Sequence, residues 1–146
     1  MKKERTEYDM VVGYVAGLYD LFHVGHLRQL KVCKAMCDRL IVGVITDELA
    51  QEYKGALPIT IFHHRLELIS ALDCVDAVVE CRTRDFYKQW LSMKFDVAFS
   101  GEGWDKDPLY SKWAKALLRQ NVKLKFIPRT DGISTSDLIT LIKEER

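Results

Sequence analysis

The sequence has no run of about 18 apolar residues, which leaves no candidate for a membrane-spanning helix. It also lacks an N-terminal stretch of signal-peptide character. The expectation is a soluble, cytoplasmic protein with no membrane partner. Charge of one sign is missing too. The net charge is +1, and the bases do not cluster beyond Lys2, Lys3 and Arg5. That leaves no field strong enough to expect nucleic acid, although a phosphorylated small molecule needs only a few local cations. Cysteine is sparse. Cys33, Cys37, Cys74 and Cys81 make neither C-x-x-C nor a Cys-His cluster of zinc-site spacing, so free thiols near a core are expected. Two nucleotide fingerprints are absent as well. No G-x-G-x-x-G follows the first apolar run, and there is no Walker A lysine, so the dinucleotide and P-loop readings lose their main support.

A composition 48% hydrophobic in 146 residues is ample for one core. Residues 1–8 read as a tail and 9–146 as one domain. Compact apolar runs at 10–15, 39–45, 75–79, 95–100 and 123–127 read as strands. Helical spacing places helices after them: from Gly25 through Cys37, then 62–72, 85–92, 110–120 and 135–143. Residues 51–60, broken by Gly55 and Pro58, read as irregular. The alternation predicts an α/β, Rossmann-like domain, a five-stranded, mainly parallel sheet with helices on both faces. In such sheets ligands bind beyond the C-terminal strand ends, where the strand order reverses. The segments 17–25, 101–107 and 129–134, and Lys54 in the loop after the second strand, would meet at that edge.

Two motifs lie there. One is His23-Val24-Gly25-His26, at a strand-to-helix turn. Two histidines at a helix start either cap and pack, or bind anions. A helix mouth offers free N–H groups and a positive dipole end, and imidazole donors there gain strength where negative charge builds in a transition state. The other motif is Arg129-Thr-Asp-Gly-Ile-Ser-Thr-Ser136, which leads into the last helix. Ser134 is its expected N-cap, and a hydroxyl pair with backbone amides at a helix N-terminus makes an anion site. On its own Arg129 is as readily a surface ion pair.

The segment from Gly17 to His26 resembles the signature of the HxGH-motif nucleotidyltransferases. The segment from Arg129 to Ser136 resembles the closing signature of the cytidylyltransferases acting on glycerol, choline and ethanolamine phosphates. The likeness covers nearly the whole chain after residue 8 and is greatest to the bacterial glycerol-3-phosphate cytidylyltransferases, which are homodimers. The resemblance implies a nucleotidyl transfer. A small phosphomonoester, glycerol 3-phosphate foremost, attacks the α-phosphorus of CTP, and pyrophosphate leaves with Mg2+ on the phosphates. The alternatives are an ethanolamine- or choline-phosphate cytidylyltransferase, an adenylyltransferase of the FAD-synthase kind, and a non-catalytic nucleotide-binding module.

Residue by residue, the resemblance implies catalytic roles for His23, His26, Arg129 and Lys54. It implies nucleotide binding by Gly17, Tyr19, Asp20, Gly25, Gly101, Glu102, Ser134 and Thr135. It implies acceptor binding by Arg65, Trp104 and His64. No side-chain cluster marks a dedicated metal site, although Asp20 stands near the implied ion. Three positions depart from the glycerol-phosphate pattern: Leu18 replaces a threonine, Gly103 an acid, and Ala56 a second loop lysine.

Overall fold

The computed structural model describes residues 10–101, 103–129 and 131–144. Five strands, β1 (Val12–Gly17), β2 (Arg39–Ile45), β3 (Ala77–Cys81), β4 (Val97–Ser100) and β5 (Lys123–Phe126), form one sheet in the order β3-β2-β1-β4-β5. All four pairings are parallel. The chain winds outward from β1 to β3, returns to the centre, and winds the other way through β4 and β5. The direction reverses between β1 and β4, and a crevice opens there at the C-terminal ends.

Side-chain alternation sorts the core into two layers. Leu40, Val42 and Val44 of β2 face one layer with Leu30 and Cys33 of α1 (Val24–Ala35) and Phe62 and Ile69 of α3 (Phe62–Ser70). Ile45 faces the other. There it joins Leu49 and Ala50 of α2 (Asp47–Lys54), Phe86 of α4 (Phe86–Met93), and Trp113 and Leu117 of α5 (Tyr110–Leu118). Each fully buried Leu, Val or Phe contributes about 1.5–3 kcal/mol of burial free energy. A sixth helix, α6 (Thr135–Lys143), follows β5 and carries no buried residue.

Two elements differ from the sequence reading. The segment read as irregular from residue 51 begins inside α2. Thr46 caps that helix by accepting from the Leu49 N–H, and Gly55 ends it at φ 74. Left-handed glycine at that point is a helix stop, so Lys54 is the last helical residue instead of a loop residue. β3 starts two residues later than the apolar run suggested. Its carboxylate at Asp76 is spent on the Leu40 N–H and on Lys34 at 2.7 Å, which turns the chain before pairing begins at Ala77.

Candidate active site

Beyond the ends of β1, β2 and β4 lies a cleft of about 580 Å³. Its walls include His23, His26, Lys54 and Arg129, all expected from the sequence to be catalytic. Gly17, Tyr19, Asp20, Gly25, Gly101, Ser134, Thr135 and Trp104 line it as well. These residues come from four separate stretches of chain, and the sheet order brings them together.

The histidine pair both caps and faces the cleft. The Gly25 N–H donates to His23 Nδ1 at 3.0 Å, and the His23 N–H donates to His26 Nδ1 at 3.2 Å. The rings stack with centroids 3.8 Å apart and 27° between planes. An Nδ1 that accepts carries no proton, so each neutral ring holds its proton on Nε2. The helix start therefore sets the tautomer, and two Nε2–H donors remain for a ligand. Gly25 is needed for this arrangement, because a Cβ there would stand 2.8 Å from the His23 ring. The glycine makes room for the histidine's own imidazole.

Tyr19 and Phe22 enclose His26, with ring centroids at 5.6 and 5.4 Å. Tyr19 and Leu21 hold positive φ values of 55° and 47° in the turn that presents the pair, a costly conformation for non-glycine residues that clusters at functional sites. Burial, then the neighbouring His23, pushes the His26 pKa from its ordinary 6.5 down to about 4, against an opposing pull from Asp20. Burial also lowers His23. Both rings are thus neutral donors at pH 7. The unfolded chain binds protons at His26 that the folded chain refuses, so stability is complete above about pH 6.5 and falls toward pH 4. The loss at His26 is at most about 3 kcal/mol. Urea unfolding at pH 7.5 and pH 5 should show the lower midpoint at pH 5, with a smaller difference in His26→Asn. Equal pH dependence in the two proteins would contradict the buried neutral ring.

Asp20 is a hub. Its carboxylate accepts from the Ile59 and Thr60 N–H groups at 2.9 and 2.8 Å, and its carbonyl accepts from the Thr135 hydroxyl at 2.8 Å. It thus ties the β1–α1 turn to the segment after α2 and to α6. Ser134 caps α6 by accepting from the Asp137 N–H at 3.0 Å. Its hydroxyl proton is then directed elsewhere, on a residue that lines the cleft.

Other expected site residues stand differently. Arg65 is fully buried on α3 and does not line the cleft. It donates to the carbonyls of Thr60, Leu18 and Ile45 and pairs with Asp47 at 2.7 Å. It braces the floor from behind, since Leu18 and Ile45 are themselves cleft residues. His64 is exposed on α3 and lies off the cleft. Glu102 lies outside the described residues. Sequence reasoning missed Arg84 and Tyr53, both on the cleft. Arg84 follows the C-terminal end of β3, so the strand-end rule that selected the other segments also covers it.

The described residues do not fit a resident Mg2+ site. No three His, Cys, Asp or Glu side chains gather among them, and the Asp20 carboxylate on the cleft is taken up by backbone amides. Among the described residues no helix is long and apolar enough to cross a membrane.

A parallel sheet with its crevice at β1/β4, lined there by two histidines and a helix N-terminus, is the architecture of a nucleotide-binding α/β fold. Residues 14–141 match the family model described as cytidylyltransferase-like, and the chain belongs to that family. An ethanolamine-phosphate cytidylyltransferase of Arabidopsis thaliana is 33% identical over 131 residues, which is 86% of this chain and 31% of that protein. This chain spans about a third of the length of the first curated relatives it matches. An FAD synthase of Pyrococcus abyssi is 34% identical over 134 residues, 89% of this chain and 90% of that protein. A solved structure described as a lipopolysaccharide core biosynthesis protein, from Thermoplasma volcanium, superposes with a TM-score of 0.69 at 27% identity. It covers 84% of this chain and 98% of that one.

Proposed function

We propose that this chain transfers a cytidylyl group from CTP to a small phosphomonoester, releases pyrophosphate, and works as a homodimer. The observation that carries the reading is the reciprocally capped imidazole pair, whose two Nε2–H donors share one cleft with Arg129 and the start of α6. An acceptor phosphate oxygen attacks the α-phosphorus, a new O–P bond forms, and the bond to the pyrophosphate oxygen breaks. The attacking phosphate is already an anion near neutral pH, its second pKa being about 6, so no general base is required. His23 and His26 donate to oxygens that gain charge as the leaving bond stretches. Arg129 and the α6 N-terminus hold the phosphate chain. Mg2+, as the counter-ion of the triphosphate, would supply charge neutralisation.

Glycerol 3-phosphate is the acceptor the family resemblance put first. The names of the relatives above favour the alternatives, ethanolamine phosphate or adenylyl transfer of the FAD-synthase kind. The second of these is a distinct reading, favoured by the 90% coverage of the Pyrococcus protein. Gly103, at φ 100° with open space around its Cβ position, leaves base recognition to other groups. Initial rates of pyrophosphate release with CTP and ATP, against several phosphorylated acceptors, test the choice. CTP is expected to exceed ATP by at least tenfold. Faster turnover of ATP with every acceptor would overturn the cytidylyl reading.

A further inference from the structure

The guanidinium of Arg84 sits between two aromatic rings, 4.4 Å from the centroid of Tyr53 and 4.8 Å from that of Trp104. All three residues line the cleft. Trp104 is 8% exposed, and the Arg84 side chain keeps 20% exposure. The guanidinium carbon stands over a face of each ring, and these cation–π contacts restrict its movement. Its Nε stands 3.7 Å from the Asp107 carboxylate, an ion pair beyond hydrogen-bond reach. Nε itself is buried with no hydrogen-bond partner. The contrast with Arg65 is sharp, since Arg65 spends its donors on three carbonyls and a carboxylate. Arg84 is a cation on the cleft that makes a long ion pair with Asp107 and no hydrogen bond among the described residues.

Its place in the sheet says what it faces. The histidines follow β1 and Arg84 follows β3, two strands away in the order β3-β2-β1, or roughly 10 Å at ordinary strand spacing. The phosphate chain belongs beside the histidines and α6. An in-line attack brings the acceptor from the side opposite the leaving pyrophosphate. The guanidinium covers one face of Tyr53 and one of Trp104, so a base cannot stack on those two faces.

We propose that Arg84 is a specificity-determining residue of the acceptor pocket: clamped between Tyr53 and Trp104, it receives oxygens of a hydroxyl- or carboxylate-bearing phosphomonoester and excludes acceptors that carry an ammonium group. An aromatic pair is the natural seat for an ammonium ion, and here the protein's own cation fills it. The proposal rests on the phosphomonoester reading above, and it runs against the amino-alcohol phosphate named in the Arabidopsis relative.

The test compares glycerol 3-phosphate, 3-phosphoglycerate, ethanolamine phosphate and choline phosphate. It uses pyrophosphate release with CTP and, separately, calorimetric titration of each acceptor into the protein. Wild type should favour the first two by at least tenfold in kcat/KM and in affinity. Arg84→Leu should shrink that ratio by at least tenfold, chiefly through the acceptor KM, with a smaller change in the KM for CTP. Arg84→Lys should keep the order, and its thermal melt guards against a folding artefact. Preference of wild type for an ammonium acceptor would overturn the proposal. So would an equal loss for all acceptors in Arg84→Leu, or no acceptor binding at millimolar concentration. Selective acceptor binding without pyrophosphate release from CTP would instead sink the cytidylyl reading and leave Arg84 standing.

Discussion

Replacing His26 by asparagine should lower kcat by about 10²–10³ and leave the melting temperature close to wild type. The asparagine amide oxygen reaches the position of Nδ1 and still accepts from the His23 N–H, a bond of 3.2 Å in the native protein. The Nε2–H has no counterpart in the shorter side chain. Glutamine should do the reverse. It reaches the Nε2 position with a donor and leaves the His23 amide unsatisfied, so His26→Gln should retain more kcat and lose more stability. Steady-state kinetics and thermal melts of the two variants separate the donor from the cap. An asparagine variant with undiminished kcat would reduce His26 to a capping residue.

The largest stability effect is expected at Arg65. Removing it strands Asp47 and three backbone carbonyls in a region where the arginine is fully buried. Leaving a buried charge pair half-made costs about 3–5 kcal/mol, so Arg65→Met should unfold at markedly lower urea. Arg65→Lys should recover only part of the loss, because an ammonium group cannot span the same fork of acceptors. Urea midpoints beside acceptor KM values decide between bracing and binding. A lysine variant of native stability with only a raised acceptor KM would give Arg65 back to the acceptor.

The strands, their parallel pairing and most helices were legible because a doubly covered sheet demands near-continuous apolar runs separated by helical spacing. β2 is the clearest case, with Leu40, Val42 and Val44 feeding one layer while Ile45 feeds the other. α2 was missed although its signals were present. Thr46 stands before two acids, and Gly55 closes the segment. The weight given to Gly55 and Pro58 as breakers hid a helix of eight residues. The histidine motif was legible in kind. That its glycine serves the His23 ring was not, because the ring folds back on the backbone two residues ahead. Arg65 shows the deeper limit. Nothing local distinguishes an arginine aimed at a ligand from one aimed at carbonyls of Leu18 and Ile45, residues 47 and 20 positions away. Arg84 is legible by position at a strand end but not by role, since its aromatic partners come from two other segments.

α6 carries no buried side chain, and its N-terminal turn is anchored by the Thr135 hydroxyl on the Asp20 carbonyl. A helix so lightly held opens at a free energy well below that of global unfolding. The part of the cleft that Ser134 lines then depends on how firmly α6 docks. Whatever binds across it takes its apparent affinity from the intrinsic contacts multiplied by the docked fraction. If a phosphate chain binds across Ser134 as proposed, substitutions on the outer turns of α6 are expected to change its affinity through the docking of that helix, with no phosphate contact of their own.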